Sequence, residues 1–139
     1  MIREAIVRER VLGELAKMGF IHQAKRNPGD KGADLKVRHK DRSHYFIVET
    51  KGDSNAPSAA AMVHNNVVFA LGQLVLRFTT LRGRLYGLGF PETYRRVALG
   101  KLTPRLVSLL RLHLFFVSEE GRVDHLTPVQ VKRLVRRNA

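Results

Sequence analysis

The stretch Gly32–Asp53, GADLKVRHKDRSHYFIVETKGD, decides how this chain folds. Residues 34–39 run Asp34, Leu35, Lys36, Val37, Arg38, His39, alternating apolar with polar. Residues 44–51 are rich in aromatic and β-branched side chains. Both segments read as strands. Lys40, Asp41, Arg42 and Ser43 between them form a short polar turn. Antiparallel pairing about that turn sets Asp34 opposite Glu49, with Cβ atoms about 5 Å apart. One face of the hairpin then carries Leu35, Val37, Phe46 and Val48, which suits a core. The other carries Asp34, Glu49 and Lys51 together. A one-residue bulge would change this register.

Adjacent carboxylates raise each other's pKa unless a cation sits between them. A hard divalent ion accepts two carboxylate oxygens and keeps positions for water and phosphate. Such an ion acidifies water and stabilises charge on a phosphate in flight. A nearby lysine can hold the attacking water. Asp34, Glu49 and Lys51 thus suit phosphodiester hydrolysis. Glu-X-Lys on a strand is equally a common solvated charge pair, and the triplet alone leaves both readings open. Glu49 and Lys51 are expected at a strand end rather than in the core, so the fold should tolerate their replacement.

The 139 residues suit one domain, 1–139, with a real core. No apolar run approaches a membrane span, and the charged start MIREAIVRER is not that of a signal peptide. A cytoplasmic location is the default. The absence of cysteine excludes disulfides, thiolate zinc sites and cysteine nucleophiles. The net charge is +13, with 17 arginines against 8 lysines. Arginine is the better phosphate fork, so a polyanion is expected as partner, nucleic acid before an anionic membrane. Basic stretches recur at Arg95–Arg96, at Arg77, Arg82 and Arg84, and at residues 132–137.

Along the chain, residues 2–18 read as a helix with Ala5, Leu12, Leu15 and Met18 at helical spacing and Gly19 as its stop. Phe20–Ala24 reads as a strand, and residues 25–33 as a loop. Residues 52–61 are small and polar. A helix is expected over about 62–80, with Val67, Val68, Leu71, Leu74, Val75 and Phe78 inward. Strands follow at 84–90 and 112–117. Tyr94–Leu99 reads as helix, and Thr103-Pro104 and Thr127-Pro128 each open another. The order is α-β-β-β-α-β-α-β-α, an α/β fold with a mixed central sheet flanked by helices.

This order and these residues resemble the PD-(D/E)XK nuclease superfamily. That resemblance implies a restriction-endonuclease-like αβββαβ core and metal-dependent cleavage of DNA. Asp34 matches the motif aspartate, with Ala33 where proline is usual. Glu49-Thr50-Lys51 matches the (D/E)XK element. Residues 3–20, REAIVRERVLGELAKMGF, resemble the first helix of type I restriction nuclease domains and archaeal Holliday-junction resolvases. A glutamate there often joins the metal site: Glu4 first, Glu9 second. Gln73 resembles a helix glutamine found after the Glu-X-Lys strand, although Arg77 stands where a tyrosine is often found. The resemblance covers residues 1 to about 90. It implies that Asp34, Glu49 and Glu4 hold Mg²⁺ or Mn²⁺, that Lys51 acts on water, and that Gln73 orients the site. Lys31, Arg77, Arg133, Arg136 and Arg137 are the expected DNA contacts, and a homodimer would supply two sites for two strands.

The rival is a nucleic-acid-binding module on the same fold that does not cut; a third reading, a basic RNA-binding or ribosome-associated protein, leaves the pairing of Asp34 with Glu49 unexplained. Other motifs are expected to be structural. The six histidines lack metal-ligand spacing. The Asn65-Asn66 segment following His64 reads as a helix-start cap. Gly87 and Gly89 suit tight strand packing, and Tyr86 and Phe90 suit the core. His39 and His44 are expected to flank the turn.

Overall fold

The computed structural model of the protein describes residues 1–23, 34–53 and 59–138. Helix α1 (Glu4–Lys17) precedes β1 (Phe20–Gln23), β2 (Leu35–His39) and β3 (Tyr45–Thr50). Helix α2 (Ala59–Arg77) leads to β4 (Arg84–Pro91), a 3-10 turn at Glu92–Tyr94, α3 (Arg95–Lys101) and α4 (Pro104–Leu110). Then come β5 (Leu112–Val117), β6 (Val123–Leu126) and α5 (Pro128–Asn138). Six strands form one open mixed sheet in the order β1-β2-β3-β4-β5-β6. The β3–β4 and β4–β5 pairs are parallel and the others antiparallel.

The hairpin adopts the expected register: Leu35 pairs with Val48 and Val37 with Phe46. Alternation then divides the sheet into two faces. Phe20, Leu35, Val37, Phe46, Val48, Phe115 and Val117 pack against α1. Ile47, Tyr86, Leu88, Phe90, Leu112, Leu114 and Phe116 pack under α2, α3, α4 and α5. Strands β3, β4 and β5 are covered on both sides, which explains their nearly unbroken apolar sequence.

Several boundaries and faces differ from expectation. Helix α1 buries Val7, Val11 and Leu15, whereas Ala5 is exposed. The reason lies in β4. A Cβ at Gly89 would stand 3.0 Å from Val11 and 3.6 Å from Val7, so the missing side chain lets these valines sit on the sheet. Helix α2 begins earlier than expected, which puts Asn65 and Asn66 inside it rather than at its cap. Val68 and Val75 point outward, not into the core. The extension after the turn at Ser118–Gly121 is a full edge strand, β6. Arg95 is not a free phosphate contact: Glu92 and Asp124 both accept its hydrogen bonds, and it lies over the Phe116 ring. Both helix starts predicted from Thr-Pro are present. Thr103 Oγ1 accepts from the Leu106 amide, and Thr127 and Gln130 cap each other reciprocally.

The histidines expected to be structural include a buried pair. His113 Nδ1 lies 2.9 Å from His125 Nε2, and the rings stack. His113 also meets the edge of Phe46, and His125 stacks on Phe115. One ring donates and the other accepts, so the accepting nitrogen carries no proton. Burial first, then the neighbouring His125, pushes His113 down to about 3. Its ordinary value is near 6.5. Below pH 6.5 the unfolded chain takes up a proton that the folded chain refuses, so this pair destabilises the fold as pH falls. Comparing the parent with His113→Gln isolates the effect. The parent should lose its advantage over the variant by about 3 kcal/mol between pH 7 and pH 4 in denaturant titrations. An unchanged difference would mean that the ring titrates normally in the fold.

Candidate active site

The C-terminal end of β3, the start of β2 and the N-terminus of α1 meet at one edge of the sheet. Asp34 immediately precedes β2 and stands opposite Glu49 by the register of the hairpin. Asp34 Oδ2 accepts from the Thr50 amide at 2.8 Å and from Thr50 Oγ1 at 3.3 Å. Glu4 opens α1, and its carboxyl group lies close enough to that of Asp34 for the two to act on each other. Asp34 and Glu49 likewise lie close enough to act on each other. Three carboxyl groups therefore converge, with Asp34 between the two glutamates.

The backbone around Lys51 holds α1 to this edge. Lys51 donates its amide to the Gly89 carbonyl, continuing β3 alongside β4. The Asp53 amide donates to the Ile2 carbonyl, and Asp53 Oδ2 accepts from the Ile2 amide. Gly52 lies flush against α1: a Cβ there would stand 2.0 Å from the Glu4 nitrogen. Only glycine allows this approach. The Gly52 carbonyl accepts from Tyr94 Oη at 2.8 Å, and Asn66 Nδ2 donates to that same Tyr94 oxygen at 2.9 Å. Helix α2 and the turn after β4 thus fix the backbone that follows Lys51.

Glu49 lies near the end of β3 as expected, but it is buried rather than outside the core. Its side chain is 2% exposed, because α2 covers this face of β3. Arg77 from the last turn of α2 faces it, with Nε 3.9 Å from Glu49 Oε1, too far for a hydrogen bond. Among the described residues, neither Glu49 Oε1 nor Arg77 Nε, both buried, has a hydrogen-bond partner. Burial, the Asp34 charge and the Asp34 hydrogen bond push Glu49 up to about 7, against the opposing pull of Arg77 and Lys51. Glu4 is also pushed up, by burial and by Asp34, and Lys51 and Arg8 oppose this. Burial and a neighbouring carboxylate each disfavour the charged form of these glutamates, which is what the shifts express.

The other residues marked from sequence fall in different places. Glu9 is exposed and lies along the groove between α1 and the Gly121 turn, away from Asp34. Gln73 is exposed on α2, one helical turn before Arg77, and makes no hydrogen bond to another described residue. Arg77 faces Glu49 rather than open solvent, at 34% exposure. Arg133, Arg136 and Arg137 are exposed along α5 and line one groove with Val129 and Lys132. Lys31 lies outside the described residues. Thr50, Asp53 and Tyr94 were not singled out from sequence, and Asn66 only as part of a helix-start cap. The register does place the Thr50 amide within reach of Asp34, whereas nothing local signals the contact of Tyr94 with Gly52.

No group of three His, Asp or Glu side chains among the described residues is arranged to enclose a metal ion. What the site offers is a carboxyl cluster with an adjacent ammonium group and a buried, unpartnered oxygen. Comparison with family models, curated proteins and solved structures returns no match. No helix of the described residues is long and apolar enough to cross a membrane.

The shift of Glu49 sets a pH dependence opposite to that of His113. A raised folded pKa contributes stability in full below the ordinary value near 4.5 and loses it as pH rises through about 7. Glu49→Gln removes this loss. Without metal, the variant should gain about 3 kcal/mol on the parent between pH 4 and pH 8 in denaturant titrations. No relative gain would mean that the Glu49 charge is already compensated in the fold.

Proposed function

We propose that this chain is a metal-dependent DNA endonuclease with a restriction-endonuclease-like core, of the PD-(D/E)XK type. One observation carries the reading: the hairpin register and the start of α1 gather Glu4, Asp34 and Glu49 beside Lys51. The order α1-β1-β2-β3-α2-β4 is the αβββαβ order that the sequence resemblance implies and supports the same reading.

A divalent cation fits this donor set. Glu49 Oε1 is a buried oxygen without a hydrogen-bond partner. Mg²⁺ or Mn²⁺ needs only one or two carboxylates and otherwise keeps water and phosphate oxygens. Asp34 and Glu49 would hold the ion, with Glu4 contributing through water. Bound there, it would supply Lewis-acid stabilisation of phosphate charge. The Thr50 amide and hydroxyl orient Asp34 by donating to Oδ2. Lys51 positions the attacking water or offsets charge at the phosphate. Gln73 orients the substrate side of the site. Arg133, Arg136 and Arg137, with Lys31, bind the DNA backbone without reading sequence. Arg77 acts at the site itself, against Glu49. We assign the chain to the cytoplasm, where such a substrate is met.

A second reading has its own observation. Arg77 stands beside Glu49 and partly offsets its charge, as a cation would. A module that binds DNA and does not cut could keep the carboxylates this way. Cleavage separates the two. With Mg²⁺ or Mn²⁺ the protein should nick plasmid DNA and stop with EDTA. Lys51→Ala should lose at least roughly a hundredfold in rate while binding DNA as the parent does. DNA affinity should fall by orders of magnitude between about 50 and 200 mM salt. Parental cutting by Lys51→Ala would remove the lysine from the mechanism. Tight, salt-sensitive binding with no cutting would favour the second reading.

A further inference from the structure

Helix α2 has a second face that neither the core nor the carboxyl site uses. Residues 59–76 contain no Asp, Glu, Lys or Arg, in a chain of net charge +13. Four large apolar side chains of this helix point outward: Val68 at 56% exposure, Phe69 at 64%, Val75 at 47% and Leu76 at 82%. At about 100° per residue they form one stripe, which Ala61, Asn65 and Gly72 complete. The stripe lies opposite the buried Val67, Ala70 and Leu74. Apolar patches of this kind on a surface helix mark contact sites.

The stripe is symmetric about Gly72. Val68 and Phe69 lie four and three residues before it, and Val75 and Leu76 three and four after it. An antiparallel crossing of two identical helices at Gly72 sets Val68 of one copy against Leu76 of the other, and Phe69 against Val75. This is the self-complementarity that a two-fold contact requires. Gly72 has open space where a Cβ would stand, so its own chain does not need a glycine there. A helix crossing at that point gains close approach from it. Charge points the same way. Two copies at +13 repel, and this uncharged stripe lets them meet without opposing like charges. The residues outside the described ones, AKRNPGDKGA at 24–33, SNAPS at 54–58 and Ala139, include no large apolar side chain to cover it.

We propose that this stripe is the contact between two copies of the chain, with their α2 helices crossing antiparallel at Gly72. The inference is independent of the nuclease reading. The test is the mass of the full chain in solution by light scattering, at roughly 50 μM, above a micromolar Kd. The monomer is 15.8 kDa, so the parent should appear at about 32 kDa. The double variant Phe69→Glu, Leu76→Glu should appear as a monomer with unchanged helix content by circular dichroism. Should that variant unfold, a second arm remains. The chain has no cysteine, so Gly72→Cys should oxidise to a disulfide-linked dimer, whereas Arg105→Cys, exposed on α4, should not. A monomeric parent overturns the proposal, as does equal cross-linking of the two cysteine variants or a dimer that survives the two glutamates. So does a monomer that binds uncharged phosphatidylcholine vesicles through the stripe.

Discussion

Three carboxyl groups brought together from separate elements are the constraint around which this edge of the protein is built, and among the described residues Lys51, Arg8 and Arg77 are the cations that act on them. Asp34 takes hydrogen bonds from the Thr50 backbone and hydroxyl and acts on both Glu4 and Glu49. Glu49 is buried, and the Arg77 guanidinium stands beyond hydrogen-bond distance. Burial and the Asp34 charge therefore favour a proton on Glu49. That arrangement costs stability at neutral pH, which is the usual mark of a site shaped for something other than folding.

The surrounding fold holds that cluster from several sides. Gly52 brings the backbone after Lys51 against the first residue of α1, which is Glu4 itself. Tyr94 and Asn66 hold the Gly52 carbonyl from the other face of the sheet. Gly89 lets Val7 and Val11 settle onto β4, which seats the helix that carries Glu4. The three carboxyl groups come from separate elements, α1, the start of β2 and the end of β3. Their meeting therefore depends on these close approaches as much as on the hairpin register. The outward stripe of α2 has no part in this, which is why a second copy can use it without disturbing the carboxyl groups.

The hairpin, its register and the convergence of Asp34 with Glu49 were legible in the sequence, because alternation and turn length together determine which residues oppose. Both Thr-Pro caps and the strand Leu112–Val117 were legible for similarly local reasons. The burial of Glu49 was not. It depends on α2 lying over β3, a tertiary packing that strand periodicity does not encode. On α1 only Ala5 was misplaced: Leu12, Leu15 and Met18 do pack on the core, but Val7 and Val11 take the place against Gly89, where the missing side chain makes room. The outward turn of Val68 and Val75 was hidden for a related reason. A helix apolar on two faces looks, in sequence, like a helix with one broad inner face.

The account turns on whether a divalent cation takes the place of the proton that burial favours on Glu49. Calorimetric titration of the protein with Mn²⁺ in two buffers of different ionisation enthalpy measures this directly. At pH 6 to 7 binding should release up to about one proton per ion, and above pH 8 the release should vanish. Glu49→Gln should bind weakly and release none. Binding without proton release at pH 6, or binding unchanged in Glu49→Gln, would contradict the account.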